Sequence, residues 1–264
     1  MNLLEYIMDH FNMPFQEAQG IILAGKVLVN SGRCNSLRYV IKKNDKIEVK
    51  GIKKQFVTRS GHKLEKALST FGIDVADKVC IDIGASQGGF TDCLLQHNAK
   101  KVYAVDVAYG ILDWKIRADA RVVILERTNA RYLNEAKIGE ACDIIVEDVS
   151  FISVVKILPH VRDLLKPDGR IITLFKPQFE LEKAFVGKDG NIDDLSLIIN
   201  RIDETVHLLK DARIHISRCT YSPIRGNSGN IEFLLYGDIA EQSAVPLLMK
   251  NEITECVEEA FAVL

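Results

Sequence analysis

The stretch KVCIDIGASQGGFTDCLLQH, residues 78–97, decides the fold of this chain. Its first six residues form the mostly apolar run of a buried strand, and its last eight have the apolar spacing of a helix. Between them, Gly84, Gly88 and Gly89 make a tight turn. Such a turn lets the backbone approach a ligand closely and points amide N–H groups toward it. The order strand, glycine turn, helix predicts the first unit of an α/β ligand-binding fold.

Strands and helices alternate on the carboxyl side of this unit, as they do in α/β proteins. Apolar runs predict further strands at 101–107, 122–126, 142–149, 169–177, 214–218 and 231–236. Helical spacing predicts helices at 154–165, 193–211 and 242–263. The predicted fold class is therefore α/β, with a Rossmann-like sheet of seven strands whose last pair is antiparallel.

A smaller unit precedes this domain. Helical spacing at 4–12 and 15–24 is interrupted at Pro14, and short β-like segments follow at 26–30, 39–41 and 46–50. This pattern predicts a small α+β domain over residues 1–52. Residues 53–60 are polar and basic and are predicted to be a linker, so the larger domain is expected to span 61–264.

The net charge of −2 conceals an uneven distribution of charge along the chain. Between Lys26 and Lys63 there are eleven lysines and arginines but only Asp45 and Glu48 as acids. A basic segment of this kind suits a polyanion such as RNA, although lysines and arginines also solvate the surfaces of small domains. The residues predicted to bind RNA phosphates are Lys26, Arg33, Arg38, Lys42, Lys43 and Arg59.

The glycine turn predicts a nucleotide-like cofactor, with an ordinary structural turn as the alternative. A dinucleotide fingerprint requires glycine two positions after Gly84, but Ser86 stands there, so NAD is disfavoured. Asp82 would repel a pyrophosphate and suits a cationic amino-acid portion such as that of a sulfonium cofactor. Asp106 ends the next strand, where a carboxylate can hold both hydroxyls of a ribose.

Four ionisable residues occur at the ends of predicted elements, far apart along the chain. Asp148 follows the fourth strand and Lys176 follows the fifth, so both are expected at the edge of the sheet where α/β proteins bind ligands. Lys63 precedes the first strand of the domain, and Glu232 lies in the last one. A solvated lysine or a strand glutamate facing water is the ordinary explanation for each of them alone.

Several motifs together resemble the TlyA family of bacterial ribosomal RNA cytidine 2′-O-methyltransferases, some of which carry the name hemolysin. The motifs are GASQGGFTDCLL (84–95), AVDVAYGILDWKIR (104–117), VVILERTNAR (122–131), DVSFIS (148–153) and KPQFE (176–180). The larger domain is also similar to the FtsJ ribose methyltransferases. The segment EAQGIILAGKVLVN (17–30) resembles the alpha-L RNA-binding motif of ribosomal protein S-four.

The resemblance implies S-adenosyl-L-methionine as cofactor and ribosomal RNA or ribosomal subunits as partner. It places the Lys-Asp-Lys-Glu tetrad of the FtsJ enzymes on Lys63, Asp148, Lys176 and Glu232. The cofactor-binding residues it implies are Asp82, Gly84, Ser86, Gly88, Gly89, Phe90, Asp106 and Asn129. Lys176 would act on the ribose 2′-hydroxyl, either as a general base or as a fixed positive charge.

Two other classes of function remain open from the sequence. An RNA base N-methyltransferase would carry a polar-Pro-Pro-aromatic turn after the fourth strand, and the segment Asp148 to Phe151 has the ends of that pattern without its prolines. A carbon-5 methyltransferase is disfavoured, because it would need a catalytic cysteine near the strand ends and the sequence offers no convincing candidate. A non-enzymatic RNA-binding or hemolysin-like protein is the second class that remains open.

The composition of the chain also bears on its expected cellular compartment and on whether a metal is expected. The cysteines are scattered without a C-x-x-C pair, so neither a metal site nor a redox motif is expected. They are Cys34, Cys80, Cys93, Cys142, Cys219 and Cys256. Neither a signal peptide nor a membrane-spanning run is evident. The sequence therefore predicts a cytoplasmic protein that uses no membrane and no metal.

Overall fold

The computed structural model describes residues 1–11, 13–42, 44–51, 55–187, 190–226, 228–239 and 245–264. In this part of the chain there are two sheets, one of three strands and one of seven. No helix in the described ranges combines the length and the apolar character that crossing a membrane requires.

The N-terminal module comprises residues 1–51 and has its own hydrophobic core. Helices α1 (Leu3–His10) and α2 (Phe15–Leu23) pack on strands β1 (Val27–Val29), β2 (Gly32–Arg33) and β3 (Ile47–Val49). The strands are antiparallel in the order β2-β1-β3. A capping box between Asn2 and Glu5 satisfies the first amides of α1.

The strand predicted at 39–41 is wrong, and β2 takes its place in the small sheet. Val40 forms only an isolated bridge with Asn2, because the backbone of this segment bonds to the N-terminus of the chain instead. The Tyr39 hydroxyl donates to Asp45, which holds the segment across the end of the module.

The larger domain contains the seven-stranded sheet in the order β6-β5-β4-β7-β8-β10-β9. Its strands are β4 (Val79–Ile83), β5 (Lys101–Val105), β6 (Val122–Leu125), β7 (Cys142–Glu147), β8 (Leu165–Phe175), β9 (His215–Tyr221) and β10 (Phe233–Asp238). Strands β4 to β8 are parallel, whereas β10 inserts antiparallel between β8 and β9. The predicted α/β class with an antiparallel last pair is confirmed.

Helices cover both faces of this sheet. They are α3 (Ser60–Phe71), α4 (Gly89–Gln96), α5 (Trp114–Arg117), α6 (Glu135–Ile138), α7 (Leu158–Val161), α8 (Pro177–Glu180), α9 (Leu195–Asp211) and α10 (Lys250–Val263). Side chains of α3 and α4 pack in one core with Cys80 of β4, while those of α7, α9 and α10 pack with Ile81 on the opposite face. Successive strand residues therefore supply the two cores alternately.

Two predicted helices begin or end differently because of proline. The segment predicted as one helix at 154–165 is divided into α7 and two flanking 3₁₀ turns, Val154–Lys156 and Arg162–Leu164. Pro159 lacks the N–H that a continuous helix would need there, so the helix restarts at Leu158. The predicted 242–263 helix starts only at Lys250, after Pro246, and residues 242–244 of it lie outside the described ranges.

Residues 55–60 of the predicted linker pack on the larger domain. Phe56 is buried in the core that includes α3 and α4, and its ring lies edge-on to His62 at 5.1 Å. The Val57 amide donates to the carboxylate of Asp92 on α4 at 2.7 Å. This segment is therefore fixed beside the glycine turn that precedes α4.

Candidate active site

A cavity of about 900 Å³ lies where β4, β7 and β8 end. Gly84, Asp148 and Lys176, the residues that follow or nearly follow these strands, all line it. The carboxyl edge of a parallel sheet is where α/β proteins bind their ligands. The volume is in the range of pockets that hold a small molecule.

The structure brings the four predicted ionisable side chains to this cavity: Lys63, Asp148, Lys176 and Glu232. Lys63 extends from the first turn of α3, and Glu232 immediately precedes β10 rather than lying within it. The Lys63 ammonium Nζ lies 2.5 Å from Glu232 Oε2, and both side chains are buried. Insertion of β10 beside β8 is what brings these two distant residues together.

Lys176 forms the second ion pair of the site. Its Nζ lies 2.5 Å from Asp148 Oδ1 and donates to Ser150 Oγ at 3.0 Å. An ammonium has three N–H donors, so these two contacts, the hydrogen bonds of Lys176 among the described residues, leave one for a ligand. Pro177 starts the short helix α8 directly after Lys176 and turns the chain away from the sheet.

The two lysines keep Asp148 ionised. Burial alone would raise the pKa of Asp148, but the positive charges of Lys63 and Lys176 outweigh this effect and lower the pKa below its ordinary value. Each of the two lysines therefore has one carboxylate partner in the site.

A second carboxyl group lies under the site without lining the cavity. Glu147 of β7 has no solvent-exposed surface, and it accepts a hydrogen bond from the Thr173 hydroxyl. Its burial raises the pKa to about 8. No hydrogen-bond partner for its Oε1 is found among the residues that the structure describes. Glu147 is thus mostly protonated at neutral pH, unlike its neighbour Asp148.

The glycine turn has the geometry that its sequence predicts. Gly84 has φ +82°, and a Cβ on it would collide with the backbone oxygen of Asp148. Gly88 has φ +96° and faces Leu112 and Ile116. Gly89 lies against the hydroxyl groups of residues 58 and 60. The first glycine therefore permits close approach of two strand ends, and the other two permit close packing.

Asp82, which is predicted to contact the cofactor, is not among the described residues that line the cavity. Asp82 has no exposed surface and lies in the middle of the sheet, where it accepts a hydrogen bond of 2.6 Å from the Thr91 hydroxyl of α4. Burial raises its pKa to about 7. Its place is behind the turn because β4 is central and covered on both faces, so its side chain anchors α4 instead.

Asp106 and Asn129 follow the ends of β5 and β6, beside the cavity but not among the described residues that line it. The Asp106 carboxylate accepts from the amides of Ser86 and Ala108, at 2.7 and 2.8 Å. A carboxylate has four acceptor positions, so it can still accept from ligand hydroxyls. Asn129 Oδ1 caps a 3₁₀ turn by accepting from the Arg131 amide.

These residues fit a cofactor such as S-adenosylmethionine. Gly84, Ser86 and Phe90 line the cavity, and only glycine can occupy the position of Gly84. The ionised Asp148 supplies a negative charge that a sulfonium would meet. Asp106 stands where a ribose could be held.

Residues 56–239 match the FtsJ-like methyltransferase family. Hemolysin A of Brachyspira hyodysenteriae is 45% identical over 239 residues, which are 89% of this chain and 99% of that protein. The 16S/23S rRNA (cytidine-2′-O)-methyltransferase TlyA of Mycobacterium tuberculosis is 39% identical over 222 residues, covering 84% of this chain and 83% of that enzyme. The chain belongs to the TlyA family of FtsJ-like methyltransferases.

A solved structure supports the same assignment over the whole chain. A protein from Streptococcus thermophilus that carries the name hemolysin superposes with a TM-score of 0.81 and 34% identity, covering 100% of this chain and 96% of that one. The family resemblance expected from the motifs is confirmed.

The basic residues predicted to bind RNA occupy two places in this TlyA-family chain. Those of the N-terminal module are exposed, namely Lys26, Arg33, Arg38 and Lys42. Lys43, which was predicted with them, lies outside the described residues. Arg59 is half-buried and lines the cavity, where its charge helps to lower the pKa of Asp148. Arg59 is therefore part of the site itself.

The sequence singled out Phe90 but not Phe151 and Phe179, two further aromatic side chains of this TlyA-family site. Phe151 is 89% exposed at the cavity, and its ring lies 4.9 Å from that of Phe179. Its φ of +67° is strained for a bulky residue, and such strain clusters at functional sites. Lys176 Nζ lies 6.0 Å from the Phe179 ring centre. Both rings belong to motifs that the sequence does show, but their exposure depends on the fold.

Proposed function

We propose that this protein transfers a methyl group from S-adenosylmethionine to the 2′-oxygen of a cytidine ribose in ribosomal RNA. The observation that supports this proposal is that two buried ion pairs line one cavity beside the glycine turn. They join Lys63 to Glu232 and Lys176 to Asp148. Membership of the TlyA family supports the ribose reaction, and the name of the Mycobacterium tuberculosis relative supports cytidine as the target nucleoside.

Lys176 is the residue that acts on the hydroxyl group. A ribose 2′-hydroxyl is a weak nucleophile until its proton is lost or its developing negative charge is stabilised. Lys176 can offer its remaining N–H to this oxygen, while Asp148 and Ser150 hold the ammonium in place. Lys63 and Glu232 form the adjoining wall and keep the charge of the site balanced.

The residues that would hold the cofactor are those of the glycine turn together with Phe90 and Asp106. When bound there, S-adenosylmethionine supplies the methyl group as an electrophile. Asp148 contributes its negative charge, and the backbone of residues 84–87 contributes the wall of the binding site. The chain's contribution to catalysis is then mainly to position the hydroxyl, whose proton passes to water as its oxygen gains the methyl group.

The partner is ribosomal RNA, free or within ribosomal subunits, and the place of action is the cytoplasm. Phe151 and Phe179 offer aromatic surface on which a nucleobase can stack, at a distance from Lys176 that suits the ribose of the same nucleotide. Arg59 and the exposed cations of the N-terminal module suit phosphate groups.

Lys176→Ala tests this function directly. We expect transfer to ribosomal subunits to fall by about a hundredfold or more, because proton transfer or charge stabilisation at the hydroxyl is lost. Binding of S-adenosylmethionine, measured by calorimetry, should remain close to that of the wild type. Lys156→Ala, at an exposed lysine outside the cavity, is the matched control and should leave both quantities unchanged.

The product identifies the modified atom. RNA methylated on the 2′-oxygen resists alkaline strand scission at that nucleotide, whereas RNA methylated on a base nitrogen does not. A Lys176→Ala variant that methylates at the wild-type rate contradicts the assigned role. A methylated product that alkali still cleaves favours a base methyltransferase, and lysis of red cells by the purified protein alone favours a hemolysin-like activity.

A further inference from the structure

The N-terminal module forms part of the wall of the active-site cavity. Met1, Tyr6 and His10 line the same cavity as Lys63 and Lys176. The first helix of the module therefore reaches the place where methyl transfer is proposed. A module that served only to hold distant RNA would not need to contribute side chains there.

Tyr6 and His10 form a stacked pair on this wall. They lie one helical turn apart on α1, and their ring centres are 3.8 Å apart with planes inclined by 19°. Leu3 and Ile7 on the same helix are fully buried in the core of the module, which fixes the direction in which the pair points. The capping box at Asn2 further fixes the start of α1.

The cavity thus has aromatic surface from two parts of the chain. Phe151 and Phe179 come from the larger domain, and Tyr6 and His10 come from the module. Flat rings that line a site together with arginine and lysine side chains are typical of proteins that bind unpaired nucleotides, because every base has a face that can stack.

We propose that the Tyr6–His10 pair stacks on an unpaired RNA base next to the target nucleotide and so strengthens the binding of this RNA at the cavity. This inference rests on the proposed function and extends it to a second nucleotide. It means that the module selects RNA in which the target and its neighbour are both unpaired. The pair acts on substrate binding and takes no part in the chemical step.

Steady-state kinetics with ribosomal subunits from cells that lack the enzyme test the proposal. We expect Tyr6→Leu and His10→Leu each to raise the KM for the subunit by about fivefold or more, since stacking on a base is lost. The kcat and the affinity for S-adenosylmethionine should stay close to wild-type values. Tyr6→Phe keeps the ring and should restore the wild-type KM.

The matched control is Phe15→Leu, which removes an aromatic ring that is 51% exposed on α2 and does not line the cavity. Its KM should equal that of the wild type. Melting temperatures of all variants show whether the module remains folded. If Tyr6→Leu unfolds it, ultraviolet cross-linking of wild-type protein to the subunit, with the linked peptide mapped by mass spectrometry, must find Tyr6 or His10 joined to RNA.

Two results overturn the proposal. One is wild-type KM values in folded Tyr6→Leu and His10→Leu proteins, and the other is a cross-link map without α1. In either case an active wild-type enzyme leaves the proposed function standing. A wild-type protein that methylates no RNA overturns the proposed function and this inference together.

Discussion

At the scale of single residues, two carboxyl groups that are neighbours in the chain have opposite protonation states. Asp148 faces two lysines and is ionised, whereas Glu147, next to it in the chain, is buried and holds its proton at neutral pH. The two side chains point to different surroundings because successive residues of a strand face opposite sides of the sheet. A charged Asp148 can hold Lys176, and a neutral Glu147 adds little negative charge behind it.

This difference predicts how stability depends on pH. The pKa of Glu147 is about 8 in the folded protein, well above the value of about 4.3 for an exposed glutamate. Between these values the folded state binds a proton that the unfolded state has released, so the free energy of unfolding falls as pH rises through this window. Glu147→Gln cannot ionise and can still accept from Thr173.

Glu147→Gln should therefore be more stable than the wild type at pH 9 by at least about 1.4 kcal/mol, the value of one pKa unit. The difference should shrink toward pH 5, where both states of the wild type are increasingly protonated. Denaturant unfolding at several pH values measures it. Glu258→Gln, an exposed glutamate on α10, is the control and should show no such trend. A constant difference between pH 5 and pH 9 would contradict the assignment.

The sequence motifs predict which residues form the site, but they do not predict which lysine pairs with which carboxylate. The motifs predict that Lys63, Asp148, Lys176 and Glu232 belong together, and the structure places all four at one cavity. Which lysine faces which carboxylate follows from the position of β10, which the sequence does not state. The surroundings of Asp82 also depend on the topology of the sheet. Its place next to the glycines indicates a ligand contact, yet the central position of β4 buries it against Thr91.

At the scale of elements, the turn between β4 and α4 depends on glycine for two separate reasons. Gly84 has a positive φ, and it also lies against the backbone oxygen of Asp148. Gly110 in the turn after β5 has a similar φ of +72° but has no atom within 4 Å of the position of a Cβ. A comparison of substitutions at Gly110 and Gly84 can therefore distinguish the cost of backbone strain from the cost of the lost close approach.

Gly110→Ala should lower the free energy of unfolding by about 1–2 kcal/mol, which is the strain of the left-handed conformation alone. Gly84→Ala adds a collision that must move Asp148 or the turn itself. We expect it to be more destabilising than Gly110→Ala and to weaken S-adenosylmethionine binding by about tenfold or more, because small displacements at a site are costly. Thermal unfolding and calorimetry measure both effects. Equal cofactor affinity in the two variants would show that the close approach at Gly84 is unimportant.

Local sequence predicts the helices and strands correctly except where a proline or a contact with a distant segment changes the structure. The apolar runs predict the strands of the large sheet because its inner strands, such as β4, are buried on both faces. The exceptions have definite causes. Pro159 divides one predicted helix, and residues 39–41 bond to the N-terminus rather than to the small sheet. A local pattern contains no information about a partner segment almost forty residues away.

At the scale of the whole molecule, positive charge is concentrated in the part of the chain before the large sheet. Arg33 and Arg38 are exposed on the N-terminal module, while the chain as a whole carries a net charge of −2. Because acidic surface repels RNA and basic surface attracts it, we expect the module to be the part that RNA meets first.

Charge contacts of this kind should show in the salt dependence of RNA binding. The double variant Arg33→Gln, Arg38→Gln should weaken binding and reduce the slope of log affinity against log salt by about 1.5, since each lost phosphate contact contributes roughly 0.7–0.9. Filter binding at several salt concentrations measures the slope. Lys210→Gln, an exposed lysine on α9, should leave it unchanged. An unaltered slope in the double variant would mean that these arginines do not contact phosphates.

The ion pair between Lys63 and Glu232 also has a consequence for how a newly made chain matures. Its two members are separated by 169 residues, and β10, which carries Glu232 to the site, inserts between two strands that are synthesised earlier. At roughly 5–20 residues per second, the translating ribosome needs on the order of ten seconds or more to bridge that interval. During this time Lys63 has been made but its partner has not, so the tetrad is incomplete. The tetrad of an emerging chain therefore cannot assemble until Glu232 has been made.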